Sequence, residues 1–167
     1  MVELGIIDNR KIKFKEKFSQ FCKHTNNLKI ASGYFYVSGF DLVKDDLSDI
    51  KSIKIVMGSE TDPETAQELV LGHKERIERE LINDLSSISD EDKDKIKALE
   101  KLHEFIGEGR IDIKIYTKDK FHAKAYIFER NDDSIGDLAV VGSSNFTRMG
   151  LSGNTELNSV HRNTAEL

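Results

Sequence analysis

The spacing of apolar residues changes character along the chain, and that change predicts the order of its elements. From Asn9 to Lys23, Ile12, Phe14, Phe18, Phe21 and Cys22 recur at helical intervals, with Asp8 or Asn9 placed to cap the first turn. Leu28–Val37, LKIASGYFYV, is rich in β-formers, and Ser38-Gly39 then opens a short helical stretch from Phe40 to Leu47. Ile53–Met57 is a compact apolar run closed by Gly58, the pattern of a strand buried between layers. A long helix is predicted from Asp62 to Leu85, with Ala66, Leu69, Val70, Ile77, Leu81 and Leu85 on one face and Pro63 in its first turn. A second follows Ser89-Asp90, with Ile96, Leu99, Leu102 and Ile106 in helical register until Gly107 and Gly109 end it. The two form a charged hairpin laid over one face. Four strands come next: Ile111–Tyr116, Phe121–Phe128, Leu138–Val141 and Glu156–Val160. Helices interleaved with strands early, then adjacent strands, predict an α/β fold: a mixed sheet with helices on its faces.

Composition adds bounds to this outline. At 167 residues the chain holds one domain with one core. Hydrophobic content of 38% beside 33% charged residues, with nine Phe and four Tyr, is that of a globular protein. No apolar run reaches the ~18–20 residues of a membrane span, and MVELGIIDNRK lacks the apolar core of a signal peptide, so a soluble, cytoplasmic protein is expected. The single cysteine, Cys22, continues an apolar stripe and reads as core. A net charge of −5 argues against binding nucleic acid by overall attraction, so any phosphate site must be local.

The candidate chemistry lies in two stretches. In FHAKAYIF, period-two alternation sends Phe121, Ala123, Ala125 and Ile127 to one face of a strand, and His122, Lys124, Tyr126 and Phe128 to the other. In VVGSSNFTRMG an apolar strand ends at Gly142, and Ser143, Ser144 and Asn145 turn hydroxyls, an amide and backbone N–H groups towards whatever sits at the strand's end.

His122-Ala-Lys124 followed by Gly142-Ser143-Ser144-Asn145 resembles the HxK…GSxN signature of the phospholipase D superfamily, which includes lipases, phosphatidyl transferases and metal-independent nucleases. The wider pattern GYF…SGF…FHAK…GSSNFTR…NTELN, from Gly33 to Asn158, is similar to a nuclease-like branch that occurs in restriction enzymes and at the start of bacterial helicase-like proteins. Two departures stand out. Glu129 takes the place of the superfamily's aspartate and reads as structural, and the gap to Gly142 is lengthened by Arg130–Asp137, read as a hairpin loop. The motif also occurs once, since His24, His73, His103 and His161 have no lysine two residues later, whereas the superfamily builds a site from two copies.

The resemblance therefore implies a phospholipase D-like mixed sheet flanked by helices on both faces, and a symmetric homodimer in which each subunit gives one His-Lys-Asn set. It implies a His122 that attacks phosphorus to form a phosphohistidine while the second subunit's histidine protonates the leaving oxygen, and a Glu156, in NTELN, that orients the imidazole. Lys124 and Asn145 would donate to the phosphate oxygens with Ser143 in support, replacing a metal, so no cofactor or metal ion is expected. Arg148, Lys120 and Ser144 are the candidate substrate contacts, with Lys114 and Lys118 adding to a basic rim, while Tyr34 and Tyr36 are assigned to core packing. The reading that follows is a DNA nuclease domain. A non-catalytic dimerisation or DNA-docking module is the alternative, and a lipid phosphodiesterase ranks below both because no apolar surface helix or anchor is present. With a further helix beginning in HRNTAEL, the chain reads as the first part of a longer restriction or helicase-like protein.

Overall fold

The computed structural model describes residues 5–58, 90–116, 118–130 and 136–162. The helix expected from Asp62 to Leu85 and most of the Arg130–Asp137 loop lie outside them. Among the described residues seven strands form one sheet: β1 (Ile6–Asp8), β2 (Thr25–Ser32), β3 (Ser52–Gly58), β4 (Ile111–Tyr116), β5 (Lys124–Arg130), β6 (Leu138–Gly142) and β7 (Leu157–Arg162), in the order β1-β7-β6-β5-β2-β3-β4. β2, β3 and β4 run parallel and the remaining pairs are antiparallel, so the sheet is mixed, as the pattern predicts. The parallel part coincides with the segments that need helical crossovers, and the antiparallel part with the adjacent strands of the second half.

One face of the sheet, with Leu28, Ile30, Ile53, Ile55, Tyr126, Phe128 and Val140, forms a single core cluster with the three described α-helices. Helix α1 (Phe14–Cys22) sets Phe14 against Tyr126 at 4.9 Å between ring centroids, and Phe18 and Phe21 against Phe128 at 5.4 and 5.3 Å, each near edge-on. Its entry is fixed by Asn9, whose Oδ1 accepts from the Phe14 N–H at 2.8 Å; Asp8, the other candidate cap, is taken up by Arg10. Cys22 is buried beside these rings, and burial pushes its thiol pKa up.

Several boundaries depart from the sequence reading for visible reasons. β2 stops at Ser32 and α2 covers Val37–Val43, three residues earlier than the stretch beginning at Phe40, because Gly33 lies under another segment of chain and Phe35 keeps only an isolated bridge to Phe146. In α3 (Asp90–Gly107) the buried side chains among those described are Ala98, Leu102 and Phe105, and Ile106 is 38% exposed, so the inward stripe is rotated from the one predicted. Phe105 sets that phase: it meets Phe40 edge-on at 6.1 Å and is covered by the Arg110 guanidinium 4.0 Å from its ring centre. Strand β1 has three residues, too few for an alternation signal.

Candidate active site

The chemistry-bearing residues gather at one end of the sheet, where β2, β3, β4 and β6 finish and β5 and β7 begin. The registers Ser32–Lys124, Ala125–Val141 and Gly142–Asn158 place those termini side by side. β5 begins at Lys124, three residues later than the predicted Phe121, because Phe121 and His122 leave the ladder and cross the ends of β2 and β3. The crossing is close: a Cβ on Gly33 would stand 3.1 Å from the Phe121 carbonyl oxygen, 3.3 Å from Asn145 Oδ1 and 3.5 Å from His122 Cα. A Cβ on Gly58 would stand 3.2 Å from the same Phe121 oxygen. Glycine at both strand ends lets this segment pass, and His122 and Asn145 converge over Gly33.

His122 is exposed at the lip of the sheet. Lys124 opens the strand proper and starts the inward alternation Lys124, Tyr126, Phe128; it is 8% exposed, and its Nζ donates to the His122 carbonyl at 2.8 Å. Burial lowers the pKa of Lys124, and the negative charge of Glu156 works against that fall. Below it Tyr126 is fully enclosed, donates its hydroxyl to the Ser144 carbonyl at 2.8 Å, and has its own pKa pushed up by burial. The lysine thus sits on an aromatic floor, with its ammonium directed at the backbone that carries the histidine.

The turn after β6 is held from below. Asn145 Oδ1 accepts from the Tyr34 N–H at 3.2 Å, which fixes the amide with its NH2 group as the remaining donor. Ser32 Oγ accepts from the Phe146 N–H at 2.8 Å and donates to the Tyr34 carbonyl at 2.6 Å, tying the end of β2 to the same turn. Ser143 is exposed; its hydroxyl donates to Glu156 and accepts from the Leu157 N–H at 3.0 Å. Glu156 Oε1 also accepts from Asn154 Nδ2 at 3.2 Å, and among the described residues it makes no hydrogen bond to His122 of its own chain.

Ser144, placed with the substrate contacts on sequence grounds, is turned inward and fully buried. Its hydroxyl accepts from Asn158 Nδ2 at 2.9 Å and its N–H donates to Asn158 Oδ1 at 3.3 Å, so it braces the turn and has no surface to offer a ligand. Arg148 is engaged by Asp41 at 2.7 Å, while Lys118 and Lys120 are exposed just before the crossing segment. Lys114 lies in mid-β4, in register with Val56 and 4.0 Å from Asp112, away from the strand ends. Glu129 forms an ion pair with Lys29 across β2 and β5, in keeping with a structural place for that acidic position. Sequence reasoning passes over Ser32, Asn158 and Gly58. Their signal is small or amide-bearing residues at strand ends, visible only once pairing is known. Tyr34 and Tyr36, assigned to the core, are only half-buried, with ring centroids 6.2 Å apart.

A mixed sheet whose strand ends assemble a histidine, a buried lysine and a Gly-Ser-Ser-Asn turn defines an α/β protein of the phospholipase D type. Residues 25–167 match the family model described as "Cardiolipin synthase, PLD-like domain", and the chain belongs to that phospholipase D-like family. No curated protein sequence matches it. Among solved structures, a mutant of yeast tyrosyl-DNA phosphodiesterase 1 superposes with a TM-score of 0.51 at 15% identity, covering 90% of this chain and 28% of that one. NucT from Helicobacter pylori gives 0.48 at 13% identity, with 95% and 84% covered, and Nuc from Salmonella typhimurium 0.46 at 15%, with 87% and 72% covered. The chain therefore spans 28% of the yeast protein, and the likeness to it is one of fold.

Proposed function

We propose that the chain is a metal-independent phosphodiesterase, a DNA nuclease domain that works through a phosphohistidine in a homodimer. The observation that carries the reading is the convergence over Gly33: an exposed His122 beside an Asn145 amide whose oxygen is already committed, with the Lys124 ammonium held under the histidine's own backbone. A neutral ring nitrogen of His122 attacks phosphorus and the P–O bond to the leaving group breaks, with the leaving oxygen protonated by His122 of the partner subunit. Water then cleaves the P–N bond and returns the proton. Charge that grows on the non-bridging oxygens is met by Lys124 and the Asn145 NH2, two donors fixed before substrate arrives. Glu156, with Ser143, holds a carboxylate at the same strand ends, where it sustains the charge on Lys124 and orients a histidine in the assembled dimer. DNA is favoured as substrate by the nuclease-like motif pattern and by the fold shared with tyrosyl-DNA phosphodiesterase 1.

The test is cleavage of plasmid and single-stranded DNA in EDTA, combined with acid-free trapping of labelled phosphate on the protein. Cleavage in EDTA with a label that disappears in His122→Ala is the expected result. Protein that binds DNA yet leaves every phosphodiester intact would instead make it a docking module.

A further inference from the structure

A net charge of −5 gives the chain no general attraction for polyanions, yet its positive charge is unevenly spread. Arg10–Lys17, RKIKFKEK, holds five basic residues and one acid, Glu16. Fold stability does not call for them. The first turn of a helix favours acidic side chains, whereas α1 starts from Lys13, whose side chain makes no capping hydrogen bond, with Lys15 and Lys17 following. Two of the five charges are answered locally: Arg10 by Asp8 at 2.7 Å and Lys15, more loosely, by Asp46 at 4.0 Å. Among the described residues Lys11 and Lys13 have no acidic partner, and Lys17 has a 3.4 Å hydrogen bond to Gln20 Oε1. Lys11 is exposed, and Lys13 and Lys17 are half-buried.

These lysines are fastened to the segment that carries Glu156. Asn9, 1% exposed, donates its backbone N–H to the Glu156 carbonyl at 3.1 Å and its side-chain amide to the carbonyls of Gly150 and Asn154 at 3.2 and 3.3 Å, while its Oδ1 takes the Phe14 N–H at 2.8 Å. Both ends of the Arg10–Lys13 turn are fixed in this way. Lys11 and Lys17 line a groove of about 580 Å³ together with Ile6, Ile12 and Leu157, and the Leu157 N–H donates to Ser143 at 3.0 Å. The groove therefore opens beside Ser143 and Glu156 and follows the outer edge of β1, the last strand of the described sheet. β1 lies three strands from β5, about 14 Å at ordinary strand spacing. A nucleic-acid strand with its scissile phosphate at Lys124 reaches the groove within about four nucleotides of ~3.4 Å rise each.

We propose that Lys11, Lys13 and Lys17 form a backbone-binding surface for the phosphates that follow the scissile one, so that several nucleotides are held on the Glu156 side of the cleavage point; this rests on the phosphodiesterase reading for the identity of that phosphate. Lysines act on phosphate as flexible point charges and read no base, so the contact is independent of sequence.

Affinity of the full chain carrying His122→Ala, so that nothing is cut, is measured for single-stranded and duplex oligonucleotides over a salt series, with and without Lys11→Gln, Lys13→Gln and Lys17→Gln combined. The slope of log affinity against log salt should become shallower by about 2 in the triple variant, at ~0.7–0.9 for each lost phosphate contact. Lys97→Gln, on α3 where Lys97 pairs with Asp94, leaves the slope unchanged. The melting temperature of the triple variant should be no lower than the parent's, because the charges removed do not favour a helix start. An unchanged slope, or no measurable binding of either oligonucleotide by the parent, overturns the proposal; a lowered melting temperature beside an unchanged slope gives the lysines a structural role instead. Loss of binding to phosphatidylglycerol vesicles with the oligonucleotide slope intact assigns them to a lipid surface and also overturns it. Hydrolysis of a small aryl phosphodiester, too short to reach the groove, by the chain with His122 intact reports on the phosphodiesterase reading alone. There the triple variant should match the wild type, falling in kcat/KM only on the oligonucleotide.

Discussion

At the scale of single residues, Lys124 is where fold and function pull against each other. In the proposed reaction its ammonium meets phosphate charge, yet at 8% exposure burial lowers its pKa, and only Glu156 acts in the other direction. The folded chain thus holds this proton less tightly than the unfolded one, whose lysine titrates near 10.4. The cost of burying the charge is present below the folded pKa and is relieved as pH rises through it, so this residue makes stability rise with pH where activity falls. The alkaline limb of kcat/KM should lie below the ordinary lysine range, and Glu156→Gln, which keeps an acceptor for Ser143 but removes the charge, should move it lower still; paired pH–rate profiles measure this. Asn145 offers a cleaner division. Asn145→Asp keeps an oxygen for the Tyr34 N–H while replacing the NH2 donors with charge, so melting should change little and the single-turnover rate should fall by at least the ~10²–10³-fold expected for losing one oxyanion donor. Such residues were legible because their spacing is fixed along the chain. The inward turn of Ser144 was not, since strand alternation stops at Gly142 and only the pairing with Asn158 decides which serine faces in.

At the scale of elements, the site depends on how closely strand ends approach. A Cβ on Gly142 would fall 2.4 Å from the Leu157 carbonyl oxygen and 2.6 Å from Asn158 Cα, both backbone, so relief requires β6 and β7 to part just where Ser143 and Glu156 meet. Gly142→Ala should therefore cost about 1–3 kcal/mol, read as a lowered urea midpoint, together with a loss of activity that Ser143→Ala, which leaves the backbone in place, does not reproduce in stability. The elements themselves were largely legible: β3 and β4 lie within a residue of their predicted ends because each is a short apolar run with clear punctuation. The ends of β2 and β5 were not. They are set by a distant segment crossing Gly33 and Gly58, a contact between residues some sixty to ninety positions apart that no local pattern carries. The phase of α3 was missed for a related reason, since the choice between Phe105 and Ile106 belongs to Phe40 on α2 and to Arg110 in the turn that folds back after α3.

At the scale of the whole molecule, the argument turns on number. The 167 residues carry one HxK and one Gly-Ser-Ser-Asn turn, and the proposed reaction uses one histidine as nucleophile and another as acid, so the proposal calls for two copies of this chain. Such a site makes activity a property of the assembly. Specific activity should fall on dilution as dimers dissociate, and sedimentation over the same range should show the change in mass. The sharper measurement is mixing. When wild-type chain is equilibrated with excess His122→Ala, exchange converts most wild-type subunits into mixed dimers that hold a single imidazole. If both are required, cleavage falls roughly as the square of the wild-type fraction. If each chain works alone, the fall is linear. An Asn145→Asp partner tests the same point from the other side: the mixed dimer keeps both histidines but loses one donor, so its activity should lie between the wild type and the His122→Ala mixture. A monomer by sedimentation that retains full activity would sink the two-chain site while leaving the single-chain geometry of His122, Lys124 and Asn145 to be explained by another chemistry.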